Sequence, residues 1–216
     1  RHAGKQVDVM SGATIQLNVK TLADLKGELL KGKSGPHEIS RLVAGGNLVG
    51  GWADARDLIY ASSLFKAYHT EKKVYETLML AEQSGVNTLL SNPVVMPLME
   101  EYWKEGYGRI QFISDCAGLD YSDGVRAMDF DRYLDIVKGA IDSGATACYI
   151  QGETADYYME HNQPEKLVQV MDLVRANGLP VGIGAHKIET IKKCVELGLE
   201  HDFWMKTLHT HNYWSA

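Results

Sequence analysis

The amino-acid sequence predicts an α/β fold built on a parallel sheet, and three observations lead to this prediction. From about residue 39 onward, short apolar runs alternate with amphipathic stretches of helical period. Glycines stand just after predicted helices and shortly before the next strand, at Gly85, Gly144, Gly178 and Gly198. The composition is that of an ordinary folded domain, with 45% hydrophobic and 23% charged residues among 216. The repeated order of helix, glycine and strand is typical of βα units.

The strands and helices can be placed in chain order from this pattern. Strands are predicted at 41–45, 87–90, 109–113, 146–150, 180–184 and 202–206. Helices are predicted at 71–83, 95–105, 129–142, 164–176 and 188–197, where apolar residues fall on one face. The segment 50–70 is too long for a simple βα connection, so it predicts an active-site lid or an extra helix.

Two architectures fit this order, a doubly wound open sheet and a TIM-type (β/α)8 barrel. No G-x-G-x-x-G or P-loop follows any strand, so the barrel is favoured over the nucleotide-binding open sheet. About six βα units are present, and we expect an incomplete barrel at 33–216 that is truncated after its sixth strand. Its open sheet edges are expected to be covered by missing chain or by an oligomer partner. Residues 1–32 are predicted to form an N-terminal extension, with a short helix at 21–30.

Charge, hydropathy and cysteine spacing argue against several classes of protein. The net charge is −6 and no basic stripe is present, so no nucleic-acid partner is expected. No apolar run approaches the length of a membrane-spanning helix, so no transmembrane segment is predicted. Cys116, Cys148 and Cys194 are widely spaced without a C-x-x-C pair, which predicts buried free thiols.

A short motif near the N-terminus consists of Asp8, Ser11, Gly12, Ala13 and Thr14. It resembles the D-x-x-S-G-A-T flavinylation motif of FMN-binding domains. The resemblance implies that FMN is attached to Thr14, with Asp8 and Ser11 as further cofactor-site residues, and that 1–32 is the tail of such a domain. It also implies an exported or periplasmic protein, whereas a cytoplasmic one is expected otherwise. The alternative interpretation is an Asp-Ser-Gly turn that leads into a strand at 13–19.

A second resemblance covers the entry into the predicted barrel. Residues 34–46, Ser-Gly-Pro-His-Glu-Ile-Ser-Arg-Leu-Val-Ala-Gly-Gly, resemble the N-terminal hairpin and first strand of aldo/keto reductases. This resemblance implies a barrel over 34–206 and an oxidoreductase. The catalytic Asp, Tyr, Lys and His of that family have no counterparts here, because the corresponding positions hold Ser91-Asn92-Pro93, Gln111 or Phe112, and Gln151. The resemblance therefore implies the fold and carries over no catalytic residue.

Polar residues follow the predicted strands directly, at the end of the sheet where barrel enzymes build their active sites. The predicted catalytic residues are Asp115, Glu153, His186 and Lys206. Lys206 would act as a Schiff-base amine or a general base. A divalent metal such as Zn, Mn or Co is predicted at Asp115, Glu153, His186, His209 and His211, because carboxylates and imidazoles are its usual ligands. The alternative is that each of these residues is structural, as a helix cap or an ion-pair partner.

Further polar and aromatic residues in the same loops are predicted to contact a small-molecule substrate. They are Asn47, Trp52, Arg56, Asn92, Gln151, Lys187 and Trp214. Trp52 and Trp214 would form a stacking wall for a sugar or a flavin ring, and Arg56 would clamp an anionic group.

Three functional hypotheses follow. The first is a barrel enzyme that acts on a small sugar-like or carbonyl substrate as an oxidoreductase, which both resemblances favour. The second is a metal-dependent lyase, isomerase or hydrolase on a sugar-like substrate, which the carboxylates and histidines favour. The third is a non-catalytic binding or flavin-carrier module, which predicts that Asp115, Glu153 and His186 point away from one another.

Overall fold

A computed structural model describes residues 6–7, 14–15, 28–53, 58–119 and 128–208. The strands are β1 (Gln6–Val7), β2 (Thr14–Ile15), β3 (Lys31–Ser34), β4 (His37–Ser40), β5 (Ala44–Gly45), β6 (Thr88–Ser91), β7 (Gln111–Ser114), β8 (Ala147–Ile150), β9 (Val181–Ala185) and β10 (Phe203–Lys206). The helices are α1 (Asn47–Gly50), α2 (Ala61–Tyr68), α3 (Glu71–Gln83), α4 (Met96–Lys104), α5 (Phe130–Asp142), α6 (Gly152–Glu160), α7 (Pro164–Ala176) and α8 (Ile188–Glu196). A 3-10 turn at Pro93–Val95 precedes α4.

The central feature is a curled parallel sheet that forms a half-barrel. Its order within the described residues is β10-β9-β8-β7-β6-β5, so neighbours in the chain are also neighbours in the sheet. All the pairings between these strands are parallel. The predicted α/β fold of TIM type, with an incomplete barrel of six strands, is confirmed.

Helix ends follow the capping rules that the sequence indicates. The Thr70 side chain accepts a hydrogen bond from the backbone N–H of Lys73 at the start of α3. The Asp129 side chain accepts one from Arg132 at the start of α5. The predicted glycines past α3, α5, α7 and α8 all have positive φ, as at Gly85 with 91° and Gly144 with 92°. The glycine at the end of each of these helices reverses the chain and so sets where the next strand begins.

The two faces of the sheet pack against different partners. On the outer face, strand residues such as Phe112, Ile150 and Ile183 join the helices in the main hydrophobic core. On the inner face, Ile113 and Tyr149 form a smaller cluster with residues of β4, β6 and β10. Strand side chains alternate between faces, so each strand contributes to both clusters.

The antiparallel β3–β4 hairpin crosses the N-terminal edge of the sheet. The side-chain amides of Asn87 and Gln111 both donate to the carbonyl oxygen of Glu38, at 2.8 and 2.9 Å. The backbone N–H of Ser40 donates to Oδ1 of Asn87 at 2.8 Å. The hairpin therefore closes this end of the half-barrel, opposite the end where the candidate site lies.

Several expectations need correction or extension. Residues 28–30 are not helical, so the helix predicted at 21–30 is wrong over its last residues, while 21–27 lie outside the described residues. The extra helix expected within 50–70 is α2. Helix α6 was not predicted from the sequence. The three cysteines are free and buried, as predicted. Among the described residues, no helix combines the length and apolar character needed to cross a bilayer.

Candidate active site

A row of inward-facing residues crosses the sheet at the C-terminal end of β7. Ser114 pairs with Cys148, and continuing this register by one residue sets Asp115 beside Tyr149. Tyr149 pairs with Gly182, and Gly182 pairs with Phe203. The Asp115 row therefore consists of Asp115, Tyr149, Gly182 and Phe203, with Asn92 joined to it by a hydrogen bond. Inward-facing side chains near strand C-termini are where barrel enzymes place reactive groups.

Asp115 is held by neutral donors in partly buried surroundings. Its Oδ1 accepts from the Asn92 side-chain amide at 3.2 Å and from the Ala117 backbone N–H at 3.3 Å. Its own backbone N–H donates to the carbonyl of Ser91 at 3.0 Å, which fixes the start of the loop. Burial raises the pKa of the Asp115 carboxyl to about 6, although the two hydrogen bonds oppose this shift. A carboxyl that titrates near neutral pH suits proton transfer.

Tyr149 lies next to Asp115, and its ring occupies space that Gly184 leaves open. The ring carbon Cε2 lies 3.1 Å from where a Cβ of Gly184 would stand. The ring of Phe203 fills the corresponding space over Gly182 and meets the Tyr149 ring edge-on, with centroids 6.4 Å apart. The side chain of Tyr149 is therefore held in place by packing, close to the Asp115 carboxyl.

A largely apolar cavity of about 550 Å³ lies between the inner face of the sheet and the β3–β4 hairpin, and neither Asp115 nor Tyr149 lines it. Ile113, the inward-facing residue that precedes Asp115 on β7, lines it together with Leu90, Phe203 and Met205. The β3–β4 hairpin forms its opposite wall. Phe203 belongs both to this lining and to the Asp115 row, so the two adjoin there, and a concave apolar space is the usual form of a small-molecule site.

His186 follows β9 and is fixed by a buried carboxylate. Asp156, in α6, is 2% exposed, and its Oδ2 accepts from the His186 backbone N–H at 3.0 Å. His186 Nδ1 lies 3.5 Å from the same oxygen, and the hydroxyl of Thr190 donates to Oδ1 at 2.6 Å. A Cβ at Gly152 would lie 3.0 Å from the imidazole, so the ring packs directly on the first turn of α6.

The described residues do not assemble the predicted metal centre. Glu153 lies in the first turn of α6, Asp115 follows β7, and His186 follows β9. Within the described ranges, no three or more His, Cys, Asp or Glu side chains are grouped as metal ligands. His209 and His211, the other two predicted ligands, lie outside the described residues. The metal centre therefore stays a prediction.

Other predicted residues have identifiable local partners. Gln151 caps α6 by accepting from the Thr154 backbone N–H at 3.2 Å. Lys187 forms an ion pair with Glu160. Lys206 donates to the carbonyls of His186 and Thr207, both at 2.7 Å. The catalytic role of Lys206 stays a prediction.

The remaining predicted residues divide between loop positions and undescribed segments. Asn47 begins α1, and the ring of Trp52 lies over Gly50, where a Cβ would come within 1.9 Å of it. The backbone of Thr14 lies in β2, paired with Val7. Asp8, Ser11, Arg56 and Trp214 lie outside the described residues. Among the described positions, the structure joins Asn92 to Asp115, while Asn47 and Trp52 lie at the start of α1 and just after its end.

Two residues of the site were missed from the sequence, Tyr149 and Asp156. Tyr149 lies within a strand, and only residues after strands were considered. The alternation in β8 places Ala147 and Tyr149 on one face, which could have identified Tyr149 as inward-facing. Asp156 lies on a helix that was not predicted, so no sequence signal was available for it.

Comparison with known proteins gives structural neighbours, two of which are aldolase-related, and no sequence match. A scan against protein-family models and a search of curated proteins both return no match. The solved structure of QR15, an aldolase, is 15% identical with a TM-score of 0.45, and it matches over 63% of this chain and 61% of that one. An HpcH/HpaI aldolase/citrate lyase family protein from Burkholderia cenocepacia J2315 is 12% identical with a TM-score of 0.38, over 70% and 74% of the two chains. The chain spans 61% of the length of the QR15 aldolase.

These findings correct the family resemblances drawn from the sequence. The aldo/keto reductase assignment is wrong, because the neighbours belong to a different TIM-barrel family. The FMN-binding assignment finds no support, since no family model matches. The oxidoreductase hypothesis depended on these two resemblances and is not carried further.

Proposed function

We propose that the protein is an enzyme of the lyase or isomerase type, which moves a proton at a small polar carbonyl compound. Asp115 serves as the general base in this proposal. The observation that supports it most directly is the partly buried Asp115 carboxyl, whose pKa is raised to about 6 at the C-terminal end of the sheet.

The surroundings of Asp115 suit a base better than a structural anion. Its hydrogen bonds come from an amide side chain and a backbone N–H, with no described cation forming an ion pair with it. A base whose pKa lies just below neutral is mostly deprotonated at pH 7 and still accepts a proton well. A cavity lined by Ile113 and Phe203 lies on the same inner face of the sheet as Asp115 and offers space for a small ligand.

The proposed step is the removal of a proton next to a carbonyl group, or from a hydroxyl group β to it. The first leads to isomerisation, and the second leads to cleavage of a carbon–carbon bond, as in a retro-aldol reaction. Both need a base at one atom of the substrate and stabilisation of negative charge at the carbonyl oxygen. Asn92, which contacts Asp115, would keep the carboxylate oriented towards the substrate.

The test is exchange of carbon-bound hydrogen in D2O, followed by proton NMR, with pyruvate, hydroxyacetone and dihydroxyacetone as probes. We expect exchange of at least one probe, at a rate that rises with pH through about 6 because Asp115 must lose its proton. Asp115→Asn is expected to lower the rate by about 100-fold or more. Asp135→Asn is a matched control, since the Asp135 side chain is 76% exposed on α5.

The outcomes separate the functional hypotheses. A rate that depends on Asp115 and not on Asp135 supports the proposal. Exchange that is equal in the wild type and in Asp115→Asn contradicts it. If no probe exchanges, a non-catalytic binding module becomes the better hypothesis.

A divalent metal would be one source of the charge stabilisation that this step needs. The described residues alone do not gather a metal-ligand set. The same exchange measured after treatment with EDTA, and again after adding Mn²⁺ or Zn²⁺, tests the metal prediction separately. A rate that depends on the metal would point to the undescribed His209 and His211 as ligands.

A further inference from the structure

We propose that the hydroxyl group of Tyr149 is a second catalytic group, which donates a hydrogen bond to the substrate oxygen that becomes negatively charged while Asp115 accepts the proton. This inference rests on the proposed function, because it assigns a second role in the same site. It concerns a residue inside a strand, where the default role of an aromatic side chain is packing.

The register of the sheet places the two side chains on the same face. Ile113 pairs with Ala147 and Ser114 with Cys148, so Asp115 and Tyr149 are the next pair along adjacent parallel strands. Adjacent strands lie about 4.8 Å apart. A small substrate that reaches the Asp115 carboxylate therefore also comes within reach of the Tyr149 side chain.

The ring of Tyr149 is held rigidly, which favours a defined position of its hydroxyl group. Tyr149 is 7% exposed. Its ring packs where a Gly184 side chain would otherwise lie, and Phe203 supports it edge-on. Groups fixed before the substrate binds stabilise a transition state without a reorganisation cost.

Within the described part of the chain, no group hydrogen-bonds to the Tyr149 hydroxyl. By contrast, the hydroxyl of Tyr102 donates to Oε2 of Glu82 at 2.5 Å. The hydroxyls of Tyr133 and Tyr158 also find no partner among the described residues, but they are fully enclosed in the main core, where no ligand can reach them. Tyr149 instead belongs to the inner-face cluster. A tyrosine hydroxyl in such surroundings normally finds a partner, and a ligand oxygen in the site would supply one.

The protonation state of Tyr149 also suits a donor. Burial, and to a smaller extent the nearby Asp115 carboxylate, raise the pKa of Tyr149 above its ordinary value. The phenol therefore keeps its proton at neutral pH.

The step balances without a further reactant. Asp115 forms a bond to the proton as the C–H bond breaks, and the electron pair of that bond moves to give an enolate whose charge lies on the former carbonyl oxygen. The Tyr149 O–H donates to this oxygen and retains its proton throughout.

Tyr149→Phe tests the role, because it removes only the hydroxyl. We expect the rate constant kcat for hydrogen exchange to fall by about 100-fold or more, with KM changed less than threefold, since the oxyanion exists only after proton removal. Tyr133→Phe is the matched control, because it removes a buried hydroxyl on the outer face. It is expected to change kcat less than twofold.

A second readout is independent of turnover. Protein labelled with 3-fluorotyrosine is titrated with pyruvate, hydroxyacetone and dihydroxyacetone, and Tyr149→Phe identifies the fluorine signal of Tyr149. We expect this signal to shift on binding, while the signal of Tyr133 stays in place.

The combined outcomes distinguish the two claims. If exchange depends on Asp115 but Tyr149→Phe stays within threefold of the wild type, this inference is overturned and the proposed function stands. If Tyr149→Phe lowers exchange while Asp115→Asn does not, the role of Asp115 is overturned. If the wild type shows neither exchange nor a fluorine shift, both are overturned.

Discussion

Asp115 and Asp156 are two carboxylates near the same end of the sheet, and their surroundings differ. Asp156 is 2% exposed and accepts from the Thr190 hydroxyl and the His186 backbone N–H, which tie α6 to the start of α8. Within the described residues, Asp115 accepts two longer hydrogen bonds, both through Oδ1. Both oxygens of Asp156 therefore accept hydrogen bonds from the protein, whereas Oδ2 of Asp115 has no partner among the described residues and can accept one from a ligand.

This difference shows how a site residue can be distinguished from a structural one of the same type. Burial alone would have favoured Asp156 as the functional group. The hydrogen-bond partners point the other way, because a carboxylate saturated by protein donors has little capacity left for a substrate. The following predictions test this contrast, in order of decreasing effect.

The largest effect on stability is expected from Asp156→Ala. This change leaves the His186 N–H and the Thr190 hydroxyl without their acceptor, and the expected loss is about 2–4 kcal/mol in the free energy of unfolding. Chemical denaturation measures it, with Asp172→Ala on the exposed side of α7 as the control. A loss under about 0.5 kcal/mol would mean that Asp156 is not the structural member of the pair.

Asp115→Asn is expected to act in the opposite direction at neutral pH. The pKa of Asp115 is about 6 in the folded protein against an ordinary value of 3.8, so the folded state binds more protons between these two pH values. The free energy of unfolding therefore falls as pH rises from about 4 to about 6. Asn carries no such penalty, so the variant should be more stable than the wild type by about 1–3 kcal/mol at pH 7.

The control for this prediction is pH itself. Below about pH 4, Asp115 is protonated in both states, and the advantage of Asn should disappear. Denaturant titrations at pH 4 and pH 7 give both values. An advantage that is equal at the two pH values would contradict the raised pKa of Asp115.

A smaller effect is expected from Gly152→Ala. The added Cβ would lie 3.0 Å from the His186 ring and 3.3 Å from the Ala185 backbone, so the imidazole must shift by a few tenths of an ångström. We expect a loss of about 0.5–1 kcal/mol and a changed NMR chemical shift of His186. At Gly139 on α5, a Cβ meets nothing within 4 Å, and Ala should stabilise the helix instead.

The strands and most helices could be predicted from the sequence because each depends on local periodicity and glycine punctuation. The helix predicted at 71–83 coincides with α3, and the strand predicted at 146–150 differs from β8 by one residue. Helix α6 was not predicted, because it begins directly after β8 with only Gln151 between them. No connecting loop marks that boundary, and Gly152 is itself the first residue of the helix.

Only some residues of the candidate site could be predicted from the sequence. Asp115 and Asn92 were identified because they follow strands, where polar residues stand out against apolar runs. Tyr149 was not, because both faces of β8 are buried and its residues read as uniformly apolar. The partnership of Asp156 with Thr190 joins residues 34 positions apart, and no single sequence reveals such a pairing.

The attachment of the β3–β4 hairpin has a consequence for the order in which the chain folds. Its Glu38 carbonyl is held by side chains 49 and 73 residues further along, on Asn87 and Gln111. Contacts between positions so distant carry a large loop-closure entropy and form late. We therefore expect the hairpin to dock only after β6 and β7 have paired, so amide protons of the hairpin should gain protection from hydrogen exchange later during refolding than those of β7.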